Sequence, residues 1–520
     1  MNSKKLVYSA FLVTVLSSIG KFLSLLRESS IASAFGASNS TDAFKVAFSV
    51  PDIFTAILGA AIAQTFIPVY SDVLKEKDEK KTRRFLNNIV SIVIIISVLL
   101  TIIGVLSSKL LIGLMAPGFD SVTKVHAINM TIVMLPGASF MILANLASSY
   151  LQTHGKFLSS SLLYYIYNLC IITGIAFFSR LGIAAAAWGT LFGLTGMLLI
   201  QLPGLIKLGY RFSPVIDLKD KNIRLIGSLV IPVFISSSFN QIYLIINRIL
   251  ASGLGSGNIS SLDYAGKVSV IINSVFISSL ATVLYPSFAK ASDNMGSFTM
   301  IFAKSMRIVS LITIPLVSVL IILRTPVIQV LFERGAFTSK NTRITADTLA
   351  IIAIGIIGVG FREFLNRAFF CLKDTKTPMI NGLIAISLNI LFNITFVRFM
   401  GIYGLAFGTA LSSIISSAML MVRIKHRLKD IRGHLILDGF IKALLASVVM
   451  GIVVYILESI VENLFFGSTL MRLMNVVICG SAGLSVYALM LYILRVEEIR
   501  DILGYARNKL LGSARPAPGS

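Results

Sequence analysis

"IVSIVIIISVLLTIIGVL", residues 89–106, runs for eighteen positions without a charged side chain. A helix of that length rises about 27 Å, close to the roughly 30 Å of hydrocarbon in a bilayer. Residues 379–396 and 443–457 have the same uncharged character. None of these stretches alternates apolar and polar side chains as barrel strands do, so the spans are predicted to be helices that satisfy their own backbone hydrogen bonds. Across all 520 residues, 56% are hydrophobic and only 13% charged, which places the chain among polytopic membrane proteins.

The formal net charge is +23, from 46 Lys and Arg against 23 Asp and Glu. Such a surplus suits nucleic acid, but its distribution speaks against that partner. The basic clusters lie at 75–84, 206–224, 423–430 and in the tail "ILRVEEIRDILGYARNKL", each after an even-numbered apolar span. Loops after odd spans, such as "GASNS" and "GLGSGNIS", are short and nearly uncharged. This asymmetry is the positive-inside pattern and predicts both termini in the cytoplasm. The first apolar segment is long, interrupted by charge and without a small-residue cleavage site, so no signal peptide is expected.

Little in the chain points to catalysis. Cys170, Cys371 and Cys479 are far apart in apolar spans and read as packing residues. His126, His154, His426 and His434 show no metal-ligand spacing, so no metal and no cofactor are expected. External loops this short and uncharged offer no carboxylate pair for a membrane glycosyltransferase. The expectation is a transporter with no catalytic residues.

Turn signals and apolar lengths predict about fourteen membrane helices. They begin near Lys5, Asp42, Asn87, Val122, Lys156, Gly182, Asn222, Ser260, Phe298, Thr342, Thr377, Gly401, Gly439 and Thr469. Residues 495–511 mix charge with Ile, Leu and Tyr and are expected to form an amphipathic helix on the cytoplasmic surface. An internal repeat organises the rest. "LGIAAAAWGTLFG" from Leu181 returns as "MGIYGLAFGTALS" from Met400, with Gly182, Gly189 and Thr190 matching Gly401, Gly408 and Thr409 at a spacing of 219 residues. Arg27 and Asp42 likewise match Arg248 and Asp263, 221 residues on. Both copies start on the same side, so the repeats are parallel, and transporters of that build hold substrate near mid-membrane between their halves. The expected division is 1–210 and 211–432 for two six-helix lobes, 433–496 for two extra helices, and 497–520 for a cytoplasmic tail.

Ionisable side chains inside such helices cost about 2.5 to 3.5 kcal/mol each at the membrane centre, so they must face something polar. Lys21, Arg27 and Glu28 share the first helix, Asp42 and Lys45 open the second, Arg248 lies on the seventh, and Asp263 and Lys267 lie on the eighth. All belong to the first two helices of a repeat. The cations outnumber the carboxylates, and Lys and Arg are the side chains best suited to phosphate, so an anionic ligand is expected. Glu28 is expected to balance Arg27, and Glu28, Asp42 and Asp263 to serve as gate or ion-pair partners. Glu363 and Arg367 read as a helix-surface i,i+4 pair, and the loop "LFERGAFTSKNT" as a turn at Gly335. Asn240, Gln241, Asn389 and Asn393 are membrane polar residues suited to lining a cleft or to gluing helices, gluing being the favoured role, and Asn240 and Gln241 are the candidates for the cleft.

The motif order is distinctive: "TDAFKVAFSVPD" (41–52), "QTFIPVYSD" (64–72), "LYPSFAK" (284–290), "LFERGAFT" (331–338), "NRAFFCLKDTKTP" (366–378), "LNILFNITF" (388–396) and "MGIYGLAFGTALS" (400–412). It resembles the MurJ (MviN) lipid II flippases of the multidrug/oligosaccharidyl-lipid/polysaccharide exporter superfamily over nearly the whole chain. The resemblance implies an all-α fold of fourteen helices in two pseudo-symmetric lobes, with two extra helices forming a groove for a lipid tail. It implies residence in a bacterial cytoplasmic membrane and, as substrate, lipid II, the undecaprenyl-pyrophosphate-linked peptidoglycan precursor. Another polyprenyl-linked glycan is the alternative cargo, and drug export of the multidrug type fits less well because a cationic cleft repels cationic drugs. By the same resemblance Lys21, Arg27 and Lys267 stand where the family carries essential arginines, and Glu28 where it carries Asp. The second helix departs: the family's Arg-Arg and Glu-Gly after Pro-Asn are absent from "PDIFTAILGAAIAQTF", leaving Arg248 or Lys45 to supply the charge. The resemblance is compatible with coupling to the membrane potential or to a cation gradient and with a monomer, and leaves the coupling ion and the oligomeric state open.

Overall fold

The structure, a computed structural model, describes residues 3–499 apart from 293, 429 and 465–467, with side chains described from residue 19 onward except at 60, 235, 236, 239, 240 and 462–464. Every regular element among these residues is helical. In chain order they are α1 (Ser3–Phe35), α2 (Asn39–Lys75), α3 (Glu79–Leu106), α4 (Ser108–Met115), α5 (Ser121–Thr153), α6 (Phe157–Ser161), α7 (Leu163–Phe178), α8 (Ala184–Leu199), α9 (Leu202–Lys207) and α10 (Lys221–Ser252). There follow α11 (Asn258–Ile272), α12 (Ser279–Ala291), α13 (Met295–Ile322), α14 (Arg324–Phe332), α15 (Ser339–Cys371), α16 (Lys376–Met400), α17 (Ile402–Leu428), α18 (Gly433–Leu464) and α19 (Thr469–Ile493). A π-helical turn, Asn273–Ser278, joins α11 to α12 within one long rod.

Among the described residues twelve helical rods are long and apolar enough to cross a membrane. α1 and α10, with 33 and 32 residues, stand at the other two of the fourteen expected positions. The protein is an all-α polytopic membrane protein. Acidic and hydroxyl caps set where rods begin: the Asp78 carboxylate accepts from the Lys81 amide at 3.0 Å and the Asp220 carboxylate from the Asn222 amide at 2.7 Å, supplying acceptors for otherwise orphaned first-turn donors. The amphipathic helix expected at 495–511 lies almost entirely outside the described residues. Cys479 is buried as expected, while Cys170 and Cys371 are half-buried.

Contacts divide the chain into two compact units, Met1–Tyr264 with Phe332–Asn341, and Ala265–Leu331 with the chain from Thr342 onward. In the first, α2 packs on α5, α5 on α8, and α7 on α8. Its core stacks Phe66 on Tyr70 at 5.0 Å between ring centroids, beside Phe85, Leu146 and Leu151. In the second, α16 packs on α17 and α13 on α18. Ala443, Ala446, Met450 and Val454 bury one stripe of α18, while Leu445, Val448, Ile452 and Tyr455 leave its other face exposed, as a lipid-facing helix requires.

The internal repeat has a structural reason in each unit separately. Gly182 (φ +67°) and Gly401 (φ +55°) both take a positive φ that glycine accommodates, where one helix ends and the next starts. A β-carbon at Gly189 would lie 2.9 Å from the backbone of Cys170 and Ile171, and one at Gly408 3.0 Å from the Asn393 amide nitrogen. Each repeat thus uses its glycine to bring two helix backbones together, as membrane helices do where no water drives association. Thr190 and Thr409 each return a hydroxyl to the carbonyl four residues back, at 2.8 Å in both cases. Replacing Gly189 by Leu is expected to overpack the α7–α8 seam and cost about 1–3 kcal/mol. Gly113, with nothing within 4 Å of a built β-carbon, is the control: thermal unfolding of Gly113→Leu should match the parent, and a matching curve for Gly189→Leu would remove the packing argument.

Candidate functional site

The charges of α1 divide by burial. Lys21 is exposed, whereas Arg27 and Glu28 are 8% and 2% exposed, and on α2 Asp42 and Lys45 are 1% and 5% exposed. The Glu28 carboxylate binds two cations at once: Arg27 Nη2 donates to Oε1 at 2.5 Å and Lys45 Nζ donates to Oε2. Each cation also lies over an aromatic ring. The Arg27 guanidinium sits 5.2 Å from the Tyr167 centroid and the Lys45 ammonium 5.0 Å from the Tyr264 centroid, contacts that gain strength when desolvated.

Arg248, from α10, donates to the Lys45 carbonyl and stands 3.8 Å from Asp263. That carbonyl also accepts from the Ser49 hydroxyl at 2.9 Å. Asp42 pairs with no cation among the described residues: its carboxylate accepts from the Gly257 amide at 2.7 Å, the Ser260 amide at 2.8 Å and the Ser260 hydroxyl at 2.5 Å. A side chain of α2 thereby caps the first turn of α11, where a negative charge also suits the helix dipole. Arg27, Lys45 and Arg248 face Glu28, Asp42 and Asp263, so these six groups are matched in charge. The cations beyond that set are Lys21 and, in the second unit, the half-buried Lys267 on α11.

The same end of the first unit is fastened by backbone. The Ala336 amide donates to the Ser33 carbonyl at 2.8 Å. Gly36 (φ +65°), Gly257 (φ +80°) and Gly335 (φ +59°) are all left-handed, and β-carbons there would collide with the carbonyls of Ala336, Ala37 and Ser33 respectively. Phe332 and Phe337 hold the buried Tyr264 ring at 4.9 and 5.8 Å. The loop read from sequence as a turn is a wedge between α1 and Tyr264. Its one legible signal was the pair of phenylalanines flanking Gly335.

Other candidates separate from this cluster. The Asn240 side chain lies outside the described residues. Gln241 is half-buried, and its Oε1 has no hydrogen-bond partner among the described residues. Asn389 donates to Thr409 and Ser412 at 3.1 and 3.2 Å, fastening α16 to α17 as expected, and accepts from Asn393 at 2.9 Å within α16 itself. Arg367 pairs with Glu363 at 3.0 Å, also as expected, and additionally donates to the Ala281 carbonyl at 2.9 Å. No group of His, Cys, Asp and Glu suited to a metal occurs among the described residues.

Long apolar helices, an internal repeat and a buried cluster of ion pairs between neighbouring helices are the features of a multi-pass membrane transporter. The family model described as "Lipid II flippase MurJ" matches residues 31–475, and the chain belongs to that family. A probable lipid II flippase MurJ of Buchnera aphidicola subsp. Acyrthosiphon pisum is 32% identical over 82% of this chain and 84% of its own. The lipid II flippase MurJ of Thermosipho africanus is 28% identical over 97% and 100%. Among solved structures, a lipid II flippase MurJ in an inward closed conformation superposes with a TM-score of 0.79 at 26% identity, covering 95% of this chain and 100% of its own. An inward-facing multidrug resistance MATE transporter shares the fold at a TM-score of 0.65 and 14% identity.

Proposed function

We propose that the protein carries lipid II from the cytoplasmic to the outer leaflet of a bacterial cytoplasmic membrane by alternating access. The observation that carries the reading is the Glu28 carboxylate shared between two buried cations, because a ligand diphosphate offers the same cations more negative charge. Its pyrophosphate is gripped by Lys21, Arg27 and Lys267 in the course of the cycle, with Lys45 and Arg248 supplying the charge that α2 lacks after Pro51. Gln241, with Asn240, contributes polar surface toward the sugar–peptide head. The polyprenyl tail runs along the exposed face of α18 and α19, the extra helices that follow lobes 1–210 and 211–432.

The distribution of basic loops orients the chain with both termini in the cytoplasm. The end fastened by Asp42 and the Ser33–Ala336 bond then faces outward. An inside-negative potential, worth about 2.3 kcal/mol per charge per 100 mV, favours return of the emptied cationic site toward the cytoplasm. Another polyprenyl-linked glycan would present the same diphosphate, so cargo identity is decided by its head.

Rescue of lipid II export in cells depleted of their own flippase tests this. The parent chain should restore export, and Lys21→Ala, Arg27→Ala and Lys267→Ala should each reduce it. Export by all three at the parental rate would remove the site assignment. Failure of the parent itself, with a different polyprenyl-linked glycan appearing outside, would remove the cargo.

A further inference from the structure

An apolar slot in the first unit has no part in the reading above. It occupies about 180 Å³ between α3, α5 and the α8–α9 corner, lined by residues such as Val90, Leu143, Ala147 and Leu198, with almost no polar surface. An apolar cavity of roughly 150 Å³ stays dry and takes up a hydrocarbon the size of benzene, so this slot is a place for hydrocarbon rather than water. It reaches the surface at Leu202 and Phe212, which line it and are 38% and 50% exposed.

The segment between α9 and α10 is strapped across α3 beside the slot. Asn88 pairs with both backbone groups of Asp217, accepting from its amide at 2.9 Å and donating to its carbonyl at 2.8 Å. Ser91 accepts from the Val215 amide at 3.2 Å and Arg84 bonds the Asp217 carboxylate at 3.1 Å. The strap begins with Tyr210 in the slot wall and Arg211 exposed beside it, and Lys207 is exposed on the last turn of α9. Neither Lys207 nor Arg211 has a side-chain hydrogen bond or ion pair among the described residues. The Tyr210 hydroxyl is buried and without a hydrogen-bond partner among the described residues. Burial pushes its phenol up to about 12, so it stays a donor at neutral pH.

We infer that this slot is a binding site for one anionic phospholipid, with an acyl chain between α3 and α5, the Tyr210 hydroxyl donating to a headgroup or ester oxygen, and Lys207 and Arg211 holding the phosphate. Charge complementarity selects this occupant: uncharged rims would suit any lipid, whereas unpartnered cations at a hydrocarbon slot suit a negative headgroup. Basic clusters at the cytoplasmic membrane surface attract such lipids generally. Here Lys207, at the end of α9, and Arg211, at the start of the strap, adjoin the slot-lining Leu205, Tyr210 and Phe212 in the chain.

The test is native mass spectrometry of the delipidated full chain, titrated with phosphatidylglycerol or phosphatidylcholine. The parent should retain one phosphatidylglycerol at concentrations where phosphatidylcholine is lost. Because Lys207 and Arg211 are exposed, the double variant Lys207→Ala/Arg211→Ala keeps the fold, and it should bind phosphatidylglycerol about 30-fold more weakly. Tyr210→Phe should lose about fivefold. Leu202→Trp, filling the slot from its exposed rim, should abolish retention without altering charge. Equal retention of the two lipids, or retention by Leu202→Trp and the double variant as by the parent, would overturn the site, as would phosphatidylglycerol accumulating without saturation near one per chain.

Discussion

Glu28→Ala is expected to cost about 3–5 kcal/mol of stability, the usual result of removing one partner from a buried ion pair. The loss is large because Glu28 serves both Arg27 and Lys45, so a single truncation leaves two buried cations facing one another. Replacing the three together, Arg27→Leu, Glu28→Met and Lys45→Met, should recover most of that loss, since apolar residues of similar volume commonly match a buried ionic cluster in stability. The triple variant should export nothing. Thermal unfolding of the purified variants, read beside export in depleted cells, separates the two effects. A single Glu28→Ala variant as stable as the parent would mean that Arg27 and Lys45 are solvated already, and the reading of Glu28 as their partner would fail.

A second readout links this stability to ligand binding. If Glu28 holds the place of a phosphate, its removal should let inorganic pyrophosphate occupy the cluster with less competition. Any ligand that binds only the folded state raises stability by RT ln(1 + [L]/Kd). Pyrophosphate should therefore raise the unfolding temperature of Glu28→Ala more than that of the parent. Equal shifts in both would show that the anion does not meet this cluster.

The helices were legible because an eighteen-residue uncharged run admits one solution in a bilayer, and the repeat was legible because each copy needs glycine where two helix backbones touch. The Arg27–Glu28 partnership could be read from adjacency. Its second half could not: Lys45 reaches Glu28 only because α1 and α2 fold back at Gly36, and no periodicity reports that approach. The repeat itself misleads at this point. It equates Arg27 and Asp42 with Arg248 and Asp263, and Arg248 does approach Asp263, but Arg27 binds Glu28 while Asp42 caps α11. Duplicated positions have kept their residue types and changed their partners. The surplus of positive charge anticipated from composition is also local rather than general, since six of the buried or half-buried groups are matched three against three.

Asp42→Ala is expected to open the fastened end. The carboxylate accepts three hydrogen bonds from Gly257 and Ser260, and hydrogen bonds to a charged group are worth about 1.5–3 kcal/mol each. All three bind α2 to the start of α11, and the expectation under test is that they are made only while this end is closed. Loss of even 3 kcal/mol from one side of a two-state equilibrium moves it more than a hundredfold. The shift can be read with a cysteine placed at Ser49, buried one turn beyond Lys45 on α2, after Cys170, Cys371 and Cys479 have been replaced. A membrane-impermeant maleimide added outside should label Ser49→Cys slowly in the parent background and much faster with Asp42→Ala. Asp42→Asn, which keeps an acceptor oxygen but not the charge, should fall between them. Ala336, whose amide holds Ser33, offers an independent check: Ala336→Pro removes that donor and should raise labelling in the same direction. Labelling unchanged by Asp42→Ala would mean that these bonds persist in both states, and the closed end would then have to be released at some other contact.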